Sequence, residues 1–169
     1  MKLFPTKNFT AELKIDYSIS MENLKLNTDI TNTLTSARTK SEFRGQVHEK
    51  GFKIISSEIG RGAICVLNGK FTKRKGEIEM RIHNAFKVMF SILLLYPFIG
   101  FGIITFQEGI KKAIEFLPLF FIVLLFIRFV FIELSFRFIS NTGINKLTKA
   151  LNIIELKKTK KTGHNTVYN

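Results

Sequence analysis

Two stretches decide the reading of this chain: VMFSILLLYPFIGFGIITF (Val88–Phe106) and FLPLFFIVLLFIRFVFIELSF (Phe116–Phe136). The first is 19 residues without a charge. At about 1.5 Å per residue it covers roughly 28 Å, close to the hydrocarbon thickness of a bilayer, about 30 Å. The second is 21 residues long, interrupted only by Arg128 and Glu133. A core helix of a soluble protein has one apolar stripe, not an apolar circumference. Spans of about 88–106 and 116–136, joined by an outer loop at 107–115, therefore predict a transmembrane helical hairpin within residues 86–138. Pro97, Gly100 and Gly102 are tolerated in the first span if a neighbour covers the freed backbone. Pro118 falls in the first turn of the second, where its missing N–H costs little.

The rest of the chain contrasts with this block. Of the 18 phenylalanines in 169 residues, 13 lie between Phe86 and Phe138. Net charge is +13, and residues 1–85 carry 15 basic against 9 acidic side chains. Disordered, collagen-like and disulfide-rich secreted classes are excluded by composition. No apolar run of signal-peptide length opens the sequence, so residues 1–85 are expected to stay on the side of synthesis. Residues 66–87 hold Lys70, Lys73, Arg74, Lys75, Arg81 and Lys87, and residues 137–156 hold Arg137, Lys146 and Lys149; the loop holds only Lys111 and Lys112. The positive-inside rule then places both termini in the cytoplasm of a multi-pass inner-membrane protein. Lys70, Lys73, Arg74, Lys75 and Lys87, which flank the first span in sequence, are the candidate contacts for anionic lipid headgroups at the inner face, at about 1 kcal/mol per surface-proximal charge. Plain topogenic charge is the simpler reading of the same residues.

Arg128 and Glu133 are the ionisable residues deep in a span. Five apart, they sit roughly 140° around an α-helix and should not face each other. Glu133 and Arg137, four apart with the acid first, form a favoured helical pair. Arg128 either snorkels toward the inner headgroups or is a buried cation serving a partner, a second copy or an ion path.

Residues 1–85 read as a β-rich cytoplasmic domain, with an antiparallel meander over 43–83. Its strands are expected at Phe43–Val47, Phe52–Ser56, Ala63–Leu67 and Glu77–His83, with Ile78, Met80 and Ile82 on one face. Turns are expected at His48–Gly51, Gly60–Gly62 and Thr72–Gly76, and a turn or bulge at Asn68–Gly69. Residues 9–34 are ambiguous: Ala11, Leu13, Ile15, Tyr17 and Ile19 alternate as in a strand, while Leu13, Tyr17 and Met21 recur every four residues and Thr10 can cap a helix. The two-residue period favours strand. Thr31–Ser41 reads as a Thr/Ser/Lys-rich linker or loop. Residues 139–156 predict a short amphipathic helix, with Ile144, Leu147, Leu151 and Ile154 forming a stripe that packs on the sheet or the membrane. Residues 157–169 predict a disordered basic tail. The fold class is thus an α+β membrane protein: a small antiparallel cytoplasmic sheet, a two-helix hairpin and a C-terminal helix.

The meander resembles an uncharacterised family of small bacterial membrane proteins in which a glycine-punctuated β-meander precedes a transmembrane hairpin. Phe43, Gly45, Val47, Phe52, Ile54, Gly69, Ile78, Met80 and Arg81 carry the resemblance, which extends over about residues 43–106. It implies a helical N-terminal segment, against the strand reading of residues 10–20, and no catalytic residues. The chain departs from the family at Ile59-Gly60-Arg61-Gly62, where relatives carry a Tyr-Arg-Asn-like turn, and at Asn84, where they tend to carry proline.

Chemistry is sparse. His48, His83 and His164 have no partner at metal-ligand spacing, and the lone Cys65 sits in an apolar run where it reads as a small buried hydrophobe. Ser56-Ser57-Glu58 lacks a nucleophile elbow, and Gly60-Arg61-Gly62 is too short for a phosphate loop. Glu77 and Glu79 share the solvent face of a strand. No enzyme, metal or cofactor is expected, and nucleic acid is disfavoured because the aromatics lie in the spans. The expected role is a membrane-anchored, non-enzymatic accessory or partner-docking module, with a protein partner or a second copy. An oligomeric pore or transport accessory built from the hairpins is the alternative, and a membrane immunity or defence protein a third.

Overall fold

The computed structural model describes residues 3–35, 37, 39–57 and 62–159. The chain divides into two compact units, one comprising Thr6–Arg81 with the stretch from Ile139 onward, the other Ile82–Phe138 with the residues before Thr6. The fold is α+β, and two of its long helices are apolar enough to cross a membrane.

The first unit is built on seven strands: β1 (Thr6–Leu13), β2 (Thr28–Ile30), β3 (Phe43–His48), β4 (Gly51–Ser56), β5 (Cys65–Thr72), β6 (Lys75–Ile82) and β7 (Ile153–Thr159). Their order in the sheet is β2-β3-β4-β5-β6-β1-β7. The sheet is mixed rather than antiparallel throughout, because β2 runs parallel to β3. Helix α1 (Tyr17–Leu26) makes that possible: it carries the chain from β1 to the far edge of the sheet.

The ambiguity of residues 9–34 resolves as a mixture. Alternation is real for Ala11 and Leu13, both buried in β1, but stops there. Asp16, not Thr10, caps α1, its Oδ1 accepting from the Ser18 N–H at 3.1 Å. Met21 and Leu24 then bury one helical face. The Asn68–Gly69 pair lies inside β5 and is no turn. Gly69 stands opposite Phe52, and a Cβ there would overlap the Phe52 ring, so the missing side chain gives that ring its place across the strand. The charged turn shortens to Lys73 and Arg74, with Lys73 in the left-handed region at φ 56°. The expected glycine turn at 60–62 falls largely outside the described residues.

Inward-facing Phe43, Phe52, Ile54, Leu67, Phe71, Ile78, Met80 and Ile82 are buried. Gly143 of helix α5 (Ser135–Leu151) approaches Leu67 and Met80, and Ile144, Leu147 and Leu151 of the same helix are buried. Lys7 Nζ on β1 donates to Ser140 Oγ at 2.6 Å and to Asn141 Oδ1 at 2.9 Å. Beyond Leu151 the sequence reading fails. Asn152 adopts φ 54°, the left-handed conformation that ends a helix, and its carbonyl accepts from Lys14 N–H. Ile154 therefore leaves the helical stripe, and residues 153–159, expected as helix end and disordered tail, form β7 against β1.

The second unit contains α2 (Asn84–Glu108), α3 (Ile110–Glu115), α4 (Leu117–Phe126) and a π-helical segment (Ile127–Leu134) that runs on into α5. Residues 107–115, expected as a loop, are mostly the short helix α3. Gly109 at φ 83° separates it from α2, a conformation that favours glycine. Phe120 joins α4 to α2, its ring 5.0 Å from Phe98 and 5.4 Å from Phe101. Within α2 only Phe90 is buried, and in α4 no residue is.

Candidate functional site

In the helical unit the singular feature is ionic. Arg128 Nη1 lies 3.3 Å from Glu133 Oε2, and Arg137 Nε lies 3.2 Å from Glu133 Oε1. The expectation that Arg128 and Glu133 point apart is overturned by the local backbone. Residues 127–134 are π-helical, and i→i+5 bonding stacks residues five apart on one face. The two side chains are only 13% and 26% exposed, whereas that of Arg137 is 67% exposed. The Arg128 guanidinium also stands 5.7 Å from the Phe129 ring centroid. One carboxylate between two guanidiniums leaves a net single positive charge with Arg137 outermost. Pro97 removes one backbone donor from α2. A Cβ at Gly100 or Gly102 would meet nothing within 4 Å, so neither glycine serves close packing within the described chain.

In the sheet unit, Lys70, Lys73, Arg74 and Lys75 are exposed and share one end of the β5–β6 hairpin. Lys70 and Lys75 line a shallow depression with Thr10, Thr72, Gly76 and Glu77. Arg74 is also structural: its carbonyl accepts from Leu13 N–H, and its Nη2 donates to the Lys14 carbonyl. Lys87 is not on this hairpin; it lies in the first turn of α2, beyond the eight residues of β6. Sequence proximity to a span therefore groups five cations of which four share one hairpin end.

A larger groove in the same unit lies between α1 and the β3–β4 turn. Met21, Leu26, Ile30 and Val47 give it apolar walls, and Glu22, Lys25, His48, Glu49 and Lys50 surround them with both signs of charge. Leu26 is 79% exposed and Ile30 51%. Sequence reading missed this groove because it requires α1 and the short strand β2, both inside the ambiguous segment. The signal was present in Asp16-Tyr17-Ser18, a helix start.

The remaining candidates fall into structural roles. His83 caps α2, its Nδ1 accepting from Ala85 N–H at 3.2 Å. Cys65 is buried, and its thiol is pushed up to about 12, first by desolvation of the thiolate, with the Lys7 charge acting weakly in the opposite direction. It is an unreactive thiol at neutral pH. Glu77 is exposed as expected, whereas Glu79, between buried Ile78 and Met80, is half-buried. Ser57 Oγ donates to the Ser41 carbonyl, a bond that ties two loops together. His164 lies outside the described residues. Among the described residues no cluster of three or more His, Cys, Asp or Glu side chains is placed to hold a metal ion.

Comparison with family models, curated proteins and solved structures gives no match.

Proposed function

We propose that the protein is a membrane-anchored, non-enzymatic docking module of a bacterial inner membrane. In this reading the helices of residues 84–134 anchor it in the bilayer, both termini face the cytoplasm, and the sheet unit captures a protein partner. The observation that carries the reading is the exposure of the helical unit: among the described residues, all exposed large apolar side chains except Leu3, Ile19, Leu26, Ile30 and Ile154 lie between Val88 and Phe138. Three of those five, Leu26, Ile30 and Ile19, belong to α1 and β2, and the first two line the groove, which is where we place the partner. Lys70, Lys73, Arg74, Lys75 and Lys87 add attraction to anionic lipid, and the resemblance of the meander to small bacterial membrane proteins supports the same layout. The pore alternative draws on Arg128, Pro97 and the Gly100/Gly102 pair; with Glu133 beside Arg128, the docking reading has the stronger support.

Crosslinking and pull-down from native membranes test this. The wild-type chain should stay with membranes after alkaline carbonate washing and retain a crosslinked partner. Leu26→Lys with Ile30→Lys should lose the partner and keep the membrane association. Recovery of the wild type in the aqueous phase without detergent, or undiminished partner capture by the double variant, would refute the reading.

A further inference from the structure

The two edges of the sheet are unequal. At one end β2 has three residues, too short to template another strand. At the other end β7 has seven residues, about 24 Å of strand, and pairs with β1 on one side only. Its other edge has no partner strand among the described residues. Glu155, Lys157, Lys158 and Thr159 are exposed along it, and Ile154 is 68% exposed.

Lysines on an edge strand ordinarily discourage pairing. Here the order of charges reverses that effect for one occupant, a second copy of this chain. Glu155 and Lys157 lie on one face with Leu156 between them, and their side chains already form an ion pair at 2.7 Å. Antiparallel pairing of β7 with itself about Leu156 sets Glu155 opposite Lys157 of the second copy, twice, once on each side of the axis. Centring the pairing on Glu155 opposes two carboxylates; centring it on Lys157 or Lys158 opposes two ammonium groups, and like charges directly opposite are destabilising. Registers shifted by an odd number of residues turn one sheet over and place its helix-covered face beside the open face of the other. The Leu156-centred register also has the longest overlap. The bulge at Glu12/Leu13 lies toward the start of β7 and leaves the 155–159 stretch regular.

A second observation supports the same register. Glu12 stands directly opposite Glu155 across the β1–β7 pair. Lys75 stands opposite Glu12 on the β6 side, and Lys157 of a second copy completes the row Lys75–Glu12–Glu155–Lys157 with a cation at each end.

We infer that two copies of this chain join β7 to β7, antiparallel about Leu156, into a two-fold dimer with one continuous sheet. This inference goes beyond the docking function and stands on the sheet alone. The interface is isologous, as a two-fold axis requires.

Disulfide crosslinking of the full-length protein in detergent and in phospholipid nanodiscs tests it. Directly opposed residues in an antiparallel pair have Cα atoms about 4.5 to 5.5 Å apart, within disulfide range. Leu156→Cys alone should crosslink, and Glu155→Cys should crosslink when mixed with Lys157→Cys. Glu155→Cys alone is expected to react poorly, since two residues of stagger place its copies roughly 8 Å apart. Buried Cys65 stays out of this chemistry. By light scattering, Glu155→Lys and Lys157→Glu should each weaken the dimer about tenfold, and the double exchange Glu155→Lys/Lys157→Glu should restore it. A monomer at micromolar concentration, crosslinking by Glu155→Cys alone equal to that of the mixture, or a different protein found seated on β7 would overturn the inference. None of those results bears on the groove between α1 and the β3–β4 turn.

Discussion

The two units treat apolar side chains in opposite ways. In the sheet unit Phe43, Ile54, Met80 and Leu147 are each 0% exposed, while in the helical unit Ile92, Tyr96 and Phe106 are 63%, 74% and 92% exposed. Both are helix- or strand-borne and both come from one chain, so propensity does not separate them. Their neighbours do: apolar side chains that are covered by protein in one unit meet no covering side chains among the described residues in the other. The largest expected effect follows directly. Leu147→Ala removes a fully buried side chain and should cost the sheet unit about 3 kcal/mol, within the usual 2–5 for such truncations. Ile92→Ala should change chemical-denaturation stability by about 0.5 kcal/mol or less. If Ile92→Ala matched Leu147→Ala, α2 would be a soluble core helix and the contrast would be false.

How much of this was legible in the sequence follows the same division. The apolar stretches were readable because they run on for about twenty residues almost without a charge, and the meander because its period persists: Ile78, Met80 and Ile82 alternate and are all buried. The misses lie where a single residue overrides a period. Asn152 stops α5 and turns the chain into β7, yet Ile154 continues the helical stripe by spacing alone. Asp16 stops the alternation that Tyr17 and Ile19 extend by spacing alone. Most of β7 is polar because an edge strand has little to bury, so its composition reads as a solvated tail. The groove was lost with β2, whose three residues are below any periodic signal.

Arg128 and Glu133 give a second comparison, between the α-helical turns of 117–126 and the π-helical turns of 127–134. No run of residue types announces a π segment; the signal was the pair of opposite charges five apart in an apolar stretch, where each needs a counter-charge. Glu133→Gln leaves Arg128 without its carboxylate and should destabilise the helical unit by about 2 kcal/mol. That is less than the 3–5 of a fully buried pair, because Glu133 is partly exposed. Arg128→Leu should cost less, since Glu133 keeps Arg137. A double-mutant cycle on unfolding in mild detergent should return a coupling of at least about 1 kcal/mol between positions 128 and 133. Additive costs would mean that the pair does not hold the π segment.

The smallest expected effect compares glycines within the helical unit. Gly109 has φ 83° and ψ 164°, a region populated essentially by glycine alone, and alanine there should cost about 1–3 kcal/mol. Gly100 lies inside α2 with open space around its Cβ position, so alanine removes a helix penalty of about 1 kcal/mol at no steric cost. Gly109→Ala should therefore lower thermal stability in detergent and Gly100→Ala raise it, the loss at Gly109 being the larger. A loss at Gly100→Ala of more than about 1 kcal/mol would sharpen the comparison differently. It would mean that a surface absent from the single chain, such as the hairpin of another copy, packs closely against α2 at that glycine.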